Sequence, residues 1–425
     1  MSRVGNAVRL PVSLAAVLWM AACTPPETGP VSVPDPAENE TSVVVMVSFD
    51  GMRHDFIDRA DAPSFRRVAE AGARADGLIP AYPSKTFPNH YGIATGLYPA
   101  HHGLVDNTFY DPAFDATYSI GNRNAVRDGR WYRGEPIWVT AETQDVPTAS
   151  YFWVGTEAPI QGVQPTYFKY YDDSVPFASR VDTVLHWLSL PPPDRPRLVM
   201  LYFDEPDGTA HRHGPDDPAV DAVVRGLDGH LGRLLDGIDT LPIADRITVI
   251  LVSDHGMAPV PADSVVCLDD YTDLDGVRTV ANGTQALLYF DGDTARANGV
   301  YQDLHERLSR ADVYRKGETP EAWHYDDARR IGDLIVAARP GWMVGLRDRS
   351  TWSGGGMHGW DPREPAMHGI FLAAGPRIRE GVRIPAFENV HIYPLLAHLL
   401  GLEPATDIDG RLDVLQGILV PEVAP

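Results

Sequence analysis

Four short apolar runs, each bordered by acidic or imidazole side chains, constrain the fold of this chain more than any other feature. Val43 to Phe49 leads into Asp50, Leu198 to Phe203 into Asp207 and His211, and Ile247 to Ser253 into Asp254 and His255. The fourth run, Ile370 to Ala373, follows a glycine-rich stretch that carries His358. Runs this short, apolar on successive residues and rich in β-formers, read as parallel strands buried on both faces by helices. In an open α/β sheet, ligands bind beyond the carboxyl ends of the strands, so residues far apart in the chain are expected to meet at one rim. The runs stretch from residue 43 to 373. They predict one large α/β domain over 41–425, a central mostly parallel sheet flanked by helices, rather than several small domains.

Asp207 and His211 are four residues apart, a spacing that puts both on one face of a helical turn; the plain alternative is a surface helix start with an exposed His. Asp254-His255-Gly256 follows a buried run, where a glycine permits close approach, although an ordinary strand-to-loop turn gives the same tripeptide. Asp50-Gly51 alone is a common turn. His358 stands among Gly354, Gly355, Gly356 and Gly359, expected as a flexible loop in which a His has little structural use. His90, His101, His102, His213 and His368 are expected to be structural, supporting or solvated. Taken jointly, four strand ends carrying metal-ligand residue types point to metal binding. Three Asp and three His suffice for two ions, and mixed Asp/His donors without Cys favour zinc over manganese or iron. Pro83 to Tyr91 opens a helix expected to end near Gly96, with Pro88 in its first turn. Thr86 then sits at the helix N-terminus, facing free N–H groups and the positive end of the dipole, as a candidate nucleophile.

The formal charge of -22 argues against a protein that coats nucleic acid, which needs a basic face. It leaves a small phosphate ester open as substrate, because bound divalent ions supply positive field locally. At the N-terminus, Arg3 and Arg9 precede the apolar stretch Leu10 to Met20, and Met20-Ala21-Ala22-Cys23 follows the pattern of a bacterial lipobox. Residues 1–22 are expected to be a lipoprotein signal peptide and Cys23 the lipidated residue. Residues 23–40 form a flexible tether, and the destination is the periplasm or cell envelope, with Thr24 after the Cys leaning towards the outer membrane. The apolar stretch is too short for an uncleaved membrane span. Cys23 and Cys267 are the two cysteines; lipid on the first excludes an intramolecular disulfide and leaves Cys267 as an expected buried thiol. Helices are expected over about 62–72, closed by Gly72, over 217–238 and over 391–400. Residues 262–345 read as an inserted subdomain or cap.

Ser48-Phe49-Asp50-Gly51, Lys85-Thr86-Phe87-Pro88-Asn89-His90-Tyr91, Gly103-Leu104-Val105-Asp106-Asn107, Glu205-Pro206-Asp207 with His211, Ser253-Asp254-His255-Gly256-Met257 and His358-Gly359 together resemble the nucleotide pyrophosphatase/phosphodiesterase (type I phosphodiesterase) family of the alkaline phosphatase superfamily. The likeness runs from Val43 to about Pro376. Its Thr-Phe-Pro-Asn-His-Tyr segment is specific, whereas Asp-His-Gly is shared across the superfamily. The resemblance implies an alkaline phosphatase-like fold and two zinc ions, one held by Asp207, His211 and His358, the other by Asp50, Asp254, His255 and the Thr86 oxygen. It implies that Asn107 hydrogen-bonds a non-bridging phosphate oxygen. Phe87 and Tyr202 match aromatic positions that sandwich a nucleobase, with core packing as the alternative for both. The implied activity is hydrolysis of nucleotide phosphodiester or pyrophosphate bonds through a phospho-threonyl intermediate, releasing nucleoside monophosphates; the substrate is a small molecule, and the oligomeric state is not legible. A phospholipid-headgroup phosphodiesterase, a phosphomonoesterase or a phosphonate hydrolase of the same superfamily stays open. A sulfatase is disfavoured because no Cys/Ser-x-Pro-x-Arg segment surrounds Thr86. A non-catalytic phosphoanion-binding lipoprotein is the alternative of a different class, and it would need neither the nucleophile nor the full ligand set.

Overall fold

In the computed structural model, which describes residues 42–421 apart from 328, 350 and 351, Val43–Phe49 is an interior strand with every side chain buried. It belongs to an eight-stranded sheet ordered Val382–Ile384, Gly72–Ala75, Phe371–Ala374, Ile247–Val252, Val43–Phe49, Leu198–Phe203, Thr148–Tyr151, Tyr167–Lys169. Alternate side chains of a strand point to opposite faces. Val43, Val45, Val47 and Phe49 accordingly join one apolar core, with Phe65, Val184, Val224 and Leu227 from three helices. Val44 and Met46 join another with Tyr91, Ile93, Trp138 and Tyr393. Covering both faces is what makes the run apolar at every position rather than at every second one. The expected signal peptide, Cys23 and the tether lie outside the described residues. Among the described residues no helix is long and apolar enough to cross a membrane.

The sheet is mostly parallel, with one exception that the sequence reading missed. Phe371–Ala374 runs antiparallel to both neighbours, pairing Phe371 with Val252 and Ala374 with Gly72. An apolar run covered on both faces reads the same in either direction, so composition could not reveal the reversal. The consequence is positional: residues that precede this strand reach the same rim as residues that follow the parallel ones.

The helix Pro218–Asp239 opens on Asp217, whose side chain accepts a hydrogen bond from the Ala219 N–H, with Pro218 in its first turn; both are favoured starts. Ile392–Leu400 is helical and ends at Gly401, with φ +68°. The earlier helix is Pro63–Glu70 and stops at Ala71, so Gly72 does not close it. Gly72 begins a strand instead, where a Cβ would lie 2.0 Å from the Ala373 carbonyl oxygen; close strand approach is what selects glycine there.

Residues 262–345 build an antiparallel sheet ordered Arg278–Asn282, Gln285–Tyr289, Leu334–Ala338, Ala311–Arg315. The helix Thr294–Arg307 packs Val300 and Leu304 into a core shared with Ala286, Leu288, Val313 and Val336. Cys267 ends the short strand Val265–Cys267 and is half-buried rather than buried as expected.

Candidate functional site

Three parallel strands deliver carboxylates to the rim. Asp50 follows Val43–Phe49 directly, Asp254 and His255 come just after Ile247–Val252, and Leu198–Phe203 leads into the helix Asp207–His213. Gly51 takes φ +65°, and a Cβ there would meet the Asp207 Cβ at 2.9 Å, so the glycine lets the Asp50 turn lie against Asp207. The glycines before His358 serve packing, not flexibility, contrary to the expected loop. Gly355–Met357 is a strand paired with Ala258–Val260, and a Cβ on Gly355, at φ +145°, would lie 2.0 Å from the His211 carbonyl oxygen. The strand rests on the backbone of the Asp207–His213 helix, which brings His358 beside His211, with ring centroids 5.0 Å apart.

Two clusters result, Asp207 with His211 and His358, and Asp50 with Asp254 and His255; within each, the ligand atoms lie within 4.8 Å of one another. The hydrogen bonds around the imidazoles show what the clusters are built for. Nδ1 of His211, His255 and His358 lies 2.7, 2.9 and 2.8 Å from the carbonyl oxygens of Gly356, Gly256 and Ser84. A carbonyl only accepts, so Nδ1 donates and the Nε2 side of each ring is turned inward. Those nitrogens face carboxylates: His211 Nε2 is 3.3 Å and His358 Nε2 3.7 Å from Asp207 Oδ1. His255 Nε2 is 3.1 Å from Asp254 Oδ2 and 3.5 Å from Asp50 Oδ1. The same three oxygens, Asp50 Oδ1, Asp207 Oδ1 and Asp254 Oδ2, are buried and accept no hydrogen bond. Lone pairs of neutral imidazoles set against anionic oxygens repel unless positive charge stands between them, and a backbone carbonyl fixing the far nitrogen is the usual support of a metal-binding His. Burial, then the Asp254 and Asp207 carboxylates, push the Asp50 carboxyl well above the usual range. Burial pushes Asp207 and Asp254 the same way; when no cation is bound, a second proton on His211 and His255 supplies the positive charge, outweighs burial and holds both low. The donor set and its orphaned oxygens fit divalent cations.

Thr86 begins the helix Thr86–Thr95, as its pattern predicts, and its Oγ1 stands 3.3 Å from His255 Nε2. The helix ends at Gly96, at φ +67°. The Phe87 N–H, one of the free donors of the first turn, is taken by Asn107 Oδ1 at 2.9 Å. With its oxygen engaged, the Asn107 side chain keeps its NH2 end for a ligand. Phe87 is half-buried, its ring tilted against Tyr118 at 6.4 Å. Tyr202 is also half-buried, and its hydroxyl donates to Asp50 Oδ2; whatever its ring contacts, its oxygen supports a carboxylate of the rim.

Several neighbours have roles that the sequence did not single out. His90, fully buried, links Ser48 Oγ at 2.8 Å to the Thr86 carbonyl at 3.0 Å and approaches Asp254 Oδ2 at 3.4 Å, so it ties the Thr86 turn to the central strand. Tyr171 lies 6.4 Å from the Tyr202 ring, half-buried near the rim, in a stretch without periodicity that could have marked it. Lys85 and Asp106, each inside a motif segment but given no role by sequence, are paired in the interior. His101 and His213 are exposed and His102 is buried. His368 bonds the Pro362 carbonyl oxygen and belongs to neither cluster.

Comparison with known proteins places this geometry among relatives. Residues 44–361 match the family model described as type I phosphodiesterase / nucleotide pyrophosphatase. The mouse ectonucleotide pyrophosphatase/phosphodiesterase family member 1 is 35% identical over 380 residues, covering 87% of this chain and 42% of that protein. The venom phosphodiesterase of Crotalus durissus collilineatus is 35% identical over 398 residues, covering 90% of this chain and 47% of that protein. The chain thus spans less than half the length of these relatives. Among solved structures, murine ectonucleotide pyrophosphatase/phosphodiesterase 5, an inactive threonine-to-alanine variant in complex with AMP, superposes with a TM-score of 0.84 at 31% identity, covering 89% of this chain and 100% of that one.

Proposed function

The chain belongs to the type I phosphodiesterase / nucleotide pyrophosphatase family, and we propose that it hydrolyses nucleotide phosphodiester or pyrophosphate bonds at a two-zinc site, with Thr86 as nucleophile. The observation that carries this reading is the set of three buried carboxylate oxygens that accept no hydrogen bond and face three imidazole nitrogens. Asp207, His211 and His358 would hold one ion; Asp50, Asp254, His255 and the Thr86 oxygen the other. When bound, such ions lower the pKa of a coordinated hydroxyl and offset charge on a phosphoryl group.

The chain's own residues define the rest. Thr86 Oγ1 forms the new bond to phosphorus while the bond to the leaving oxygen breaks in line, giving a phospho-threonine and the freed alcohol or phosphate. Water then cleaves the phospho-threonine, releasing the nucleoside monophosphate and regenerating the hydroxyl. The Asn107 amide donates to a non-bridging oxygen, and the start of the Thr86–Thr95 helix offers positive potential to the same group. The structural neighbour supports both a threonine nucleophile and a nucleotide ligand, since it is inactive as a threonine-to-alanine variant and holds AMP. Phe87 and Tyr202 would flank the base. We further propose that residues 1–22 direct export and that lipid on Cys23 tethers the domain, through 23–40, to the outer membrane. Fractionation of wild type against Cys23→Ser tests this, and unchanged membrane association of the variant refutes it.

Zinc-loaded wild type and Thr86→Ala are compared on a nucleotide 5′-aryl phosphodiester, an aryl phosphomonoester and an aryl phosphocholine. Turnover dominated by the nucleotide diester and lost in the variant is expected. Dominant phosphocholine or monoester turnover overturns the substrate assignment, and turnover retained by Thr86→Ala overturns the nucleophile.

A further inference from the structure

Behind Thr86 and Asn107 lies a buried polar cluster that the chemistry above does not use. Lys85 Nζ reaches both oxygens of Asp106, at 2.9 and 2.8 Å, with side-chain exposures of 4% and 1%. Burial lowers the Lys85 pKa, and Asp106 opposes the fall. Asp106 Oδ1 also accepts the N–H of the next residue, Asn107, at 2.6 Å. Asp106 Oδ2 accepts from Gln285 Nε2 at 2.8 Å, so the cluster is completed by the first residue of a strand in the inserted subdomain. The Gln285 Nε2 also donates to the Tyr325 hydroxyl at 3.0 Å, which in turn donates to the Val105 carbonyl at 2.8 Å. Gln285 Oε1 is buried without an acceptor's partner; the residue occupies its place through its donor end alone. His358 joins from the other side. Its carbonyl accepts from Thr284 Oγ1 at 3.2 Å, and a Cβ on Gly359 would strike the Lys85 stem at 2.9 Å.

A buried ion pair is seldom more stable than an apolar pair of the same shape, so stability alone does not account for this one. The cluster does one geometric thing. Lys85 is bonded through the backbone to Thr86, and Asp106 to Asn107. Clamping the first side chain to the second therefore sets the separation of the nucleophile and the amide donor, and Gln285 sets the orientation of the clamp.

Building on the roles given above to Thr86 and Asn107, we propose that Lys85, Asp106 and Gln285 are positioning residues, and that the inserted subdomain takes part in catalysis by holding Asn107 in register with Thr86. A phosphoryl oxygen donor acts only from its correct position, and a misplacement near 1 Å costs about 100-fold.

The test is a double-mutant cycle in the full-length, zinc-loaded protein, with kcat and KM measured on the nucleotide aryl diester and zinc content measured alongside. Gln285→Leu keeps the size of the side chain and leaves the Lys85–Asp106 pair in place, so it is the variant expected to fold; Asp106→Asn is the companion. Asn107→Ala alone is expected to lower kcat by about 100-fold or more, as for loss of a transition-state donor. Gln285→Leu is expected to lower kcat about 10-fold with KM and zinc content unchanged in the native background, and less than about 2-fold when Asn107 is already Ala, because residues acting through one another do not add. Equal losses in both backgrounds overturn the proposal and leave the enzyme assignment standing, as does a loss that tracks zinc content. Native turnover in Asn107→Ala refutes the underlying role of Asn107 and the positioning role with it.

Discussion

His102 should make the stability of this protein fall on the acid side of neutrality. The ring is fully buried. Its Nε2 donates to the Pro88 carbonyl oxygen at 3.0 Å and its Nδ1 accepts the Leu104 N–H at 3.2 Å, so the neutral tautomer satisfies both nitrogens and a second proton has no acceptor. Burial drives its pKa from 6.5 down to about 3. The folded pKa lies below the unfolded one, so below pH 6.5 the unfolded chain takes up a proton that the folded chain refuses, and stability is lost as pH falls through that window. At 1.36 kcal/mol per pH unit, the two units from 6.5 down to about pH 4.5 amount to about 2.7 kcal/mol. The measurement is urea unfolding of wild type and His102→Gln at about pH 7.5 and 4.5. Other titrating groups contribute to both proteins, so the difference isolates the ring: wild type should lose about 2–3 kcal/mol more than the variant. Parallel pH dependence in the two proteins would refute the assignment of a neutral, buried His102.

Tyr202→Phe removes the donor on Asp50 Oδ2 and is expected to weaken metal retention about 10- to 100-fold, read by competition with a chelator; unchanged retention removes Tyr202 from the support of Asp50. Gly355→Ala places a methyl 2.0 Å from the His211 carbonyl at φ +145°, and should cost at least about 1–3 kcal/mol from backbone strain, seen as a lower melting temperature together with reduced zinc content. Stripping the metal with a chelator should lower the melting temperature reversibly; zinc at 100 times its dissociation constant stabilises by about 2.7 kcal/mol, and a melt indifferent to zinc would count against the two clusters as its site.

What could be read from the sequence followed a physical rule. Strands buried on both faces announce themselves at every residue, so Val43–Phe49, Leu198–Phe203 and Ile247–Val252 were legible, and so were the Asp and His residues at their ends. The helix start at Thr86 with Pro88 in its first turn was legible too, as was the helix over 217–238 from its periodicity. Strand direction was not, because hydrogen-bond polarity leaves no trace in side-chain composition, and Phe371–Ala374 proved antiparallel. Glycine was ambiguous for a different reason. At Gly72 and Gly355 it is selected by a carbonyl oxygen arriving from a distant segment, which local pattern cannot distinguish from a helix stop or a flexible loop. The Lys85–Asp106–Gln285 cluster joins residues 21 and 179 positions apart, and polar side chains within a motif look solvated until the partner strand is in place. The half-burial of Cys267 was not legible, since a lone thiol at a strand end carries no exposure signal of its own.

The reversal of Phe371–Ala374 has a consequence for how such a protein can be remodelled. The excursion from Ser253 to Ile370 leaves the sheet at Val252 and re-enters at Phe371, its paired neighbour, across a single strand spacing of about 4.8 Å. A detour with adjacent exit and entrance can lengthen or shrink at little cost, since closure entropy grows only logarithmically with length. Strand register elsewhere is untouched by such a change. The same detour carries His255 at its start and His358 near its end, so any segment grafted into the middle inherits a doorway already flanked by both clusters. The fold thus behaves as a socket, and chimaeras exchanging residues 262–345 between relatives while keeping Gln285 and its bond to Asp106 offer a route to new substrate preferences on an unchanged set of ligands.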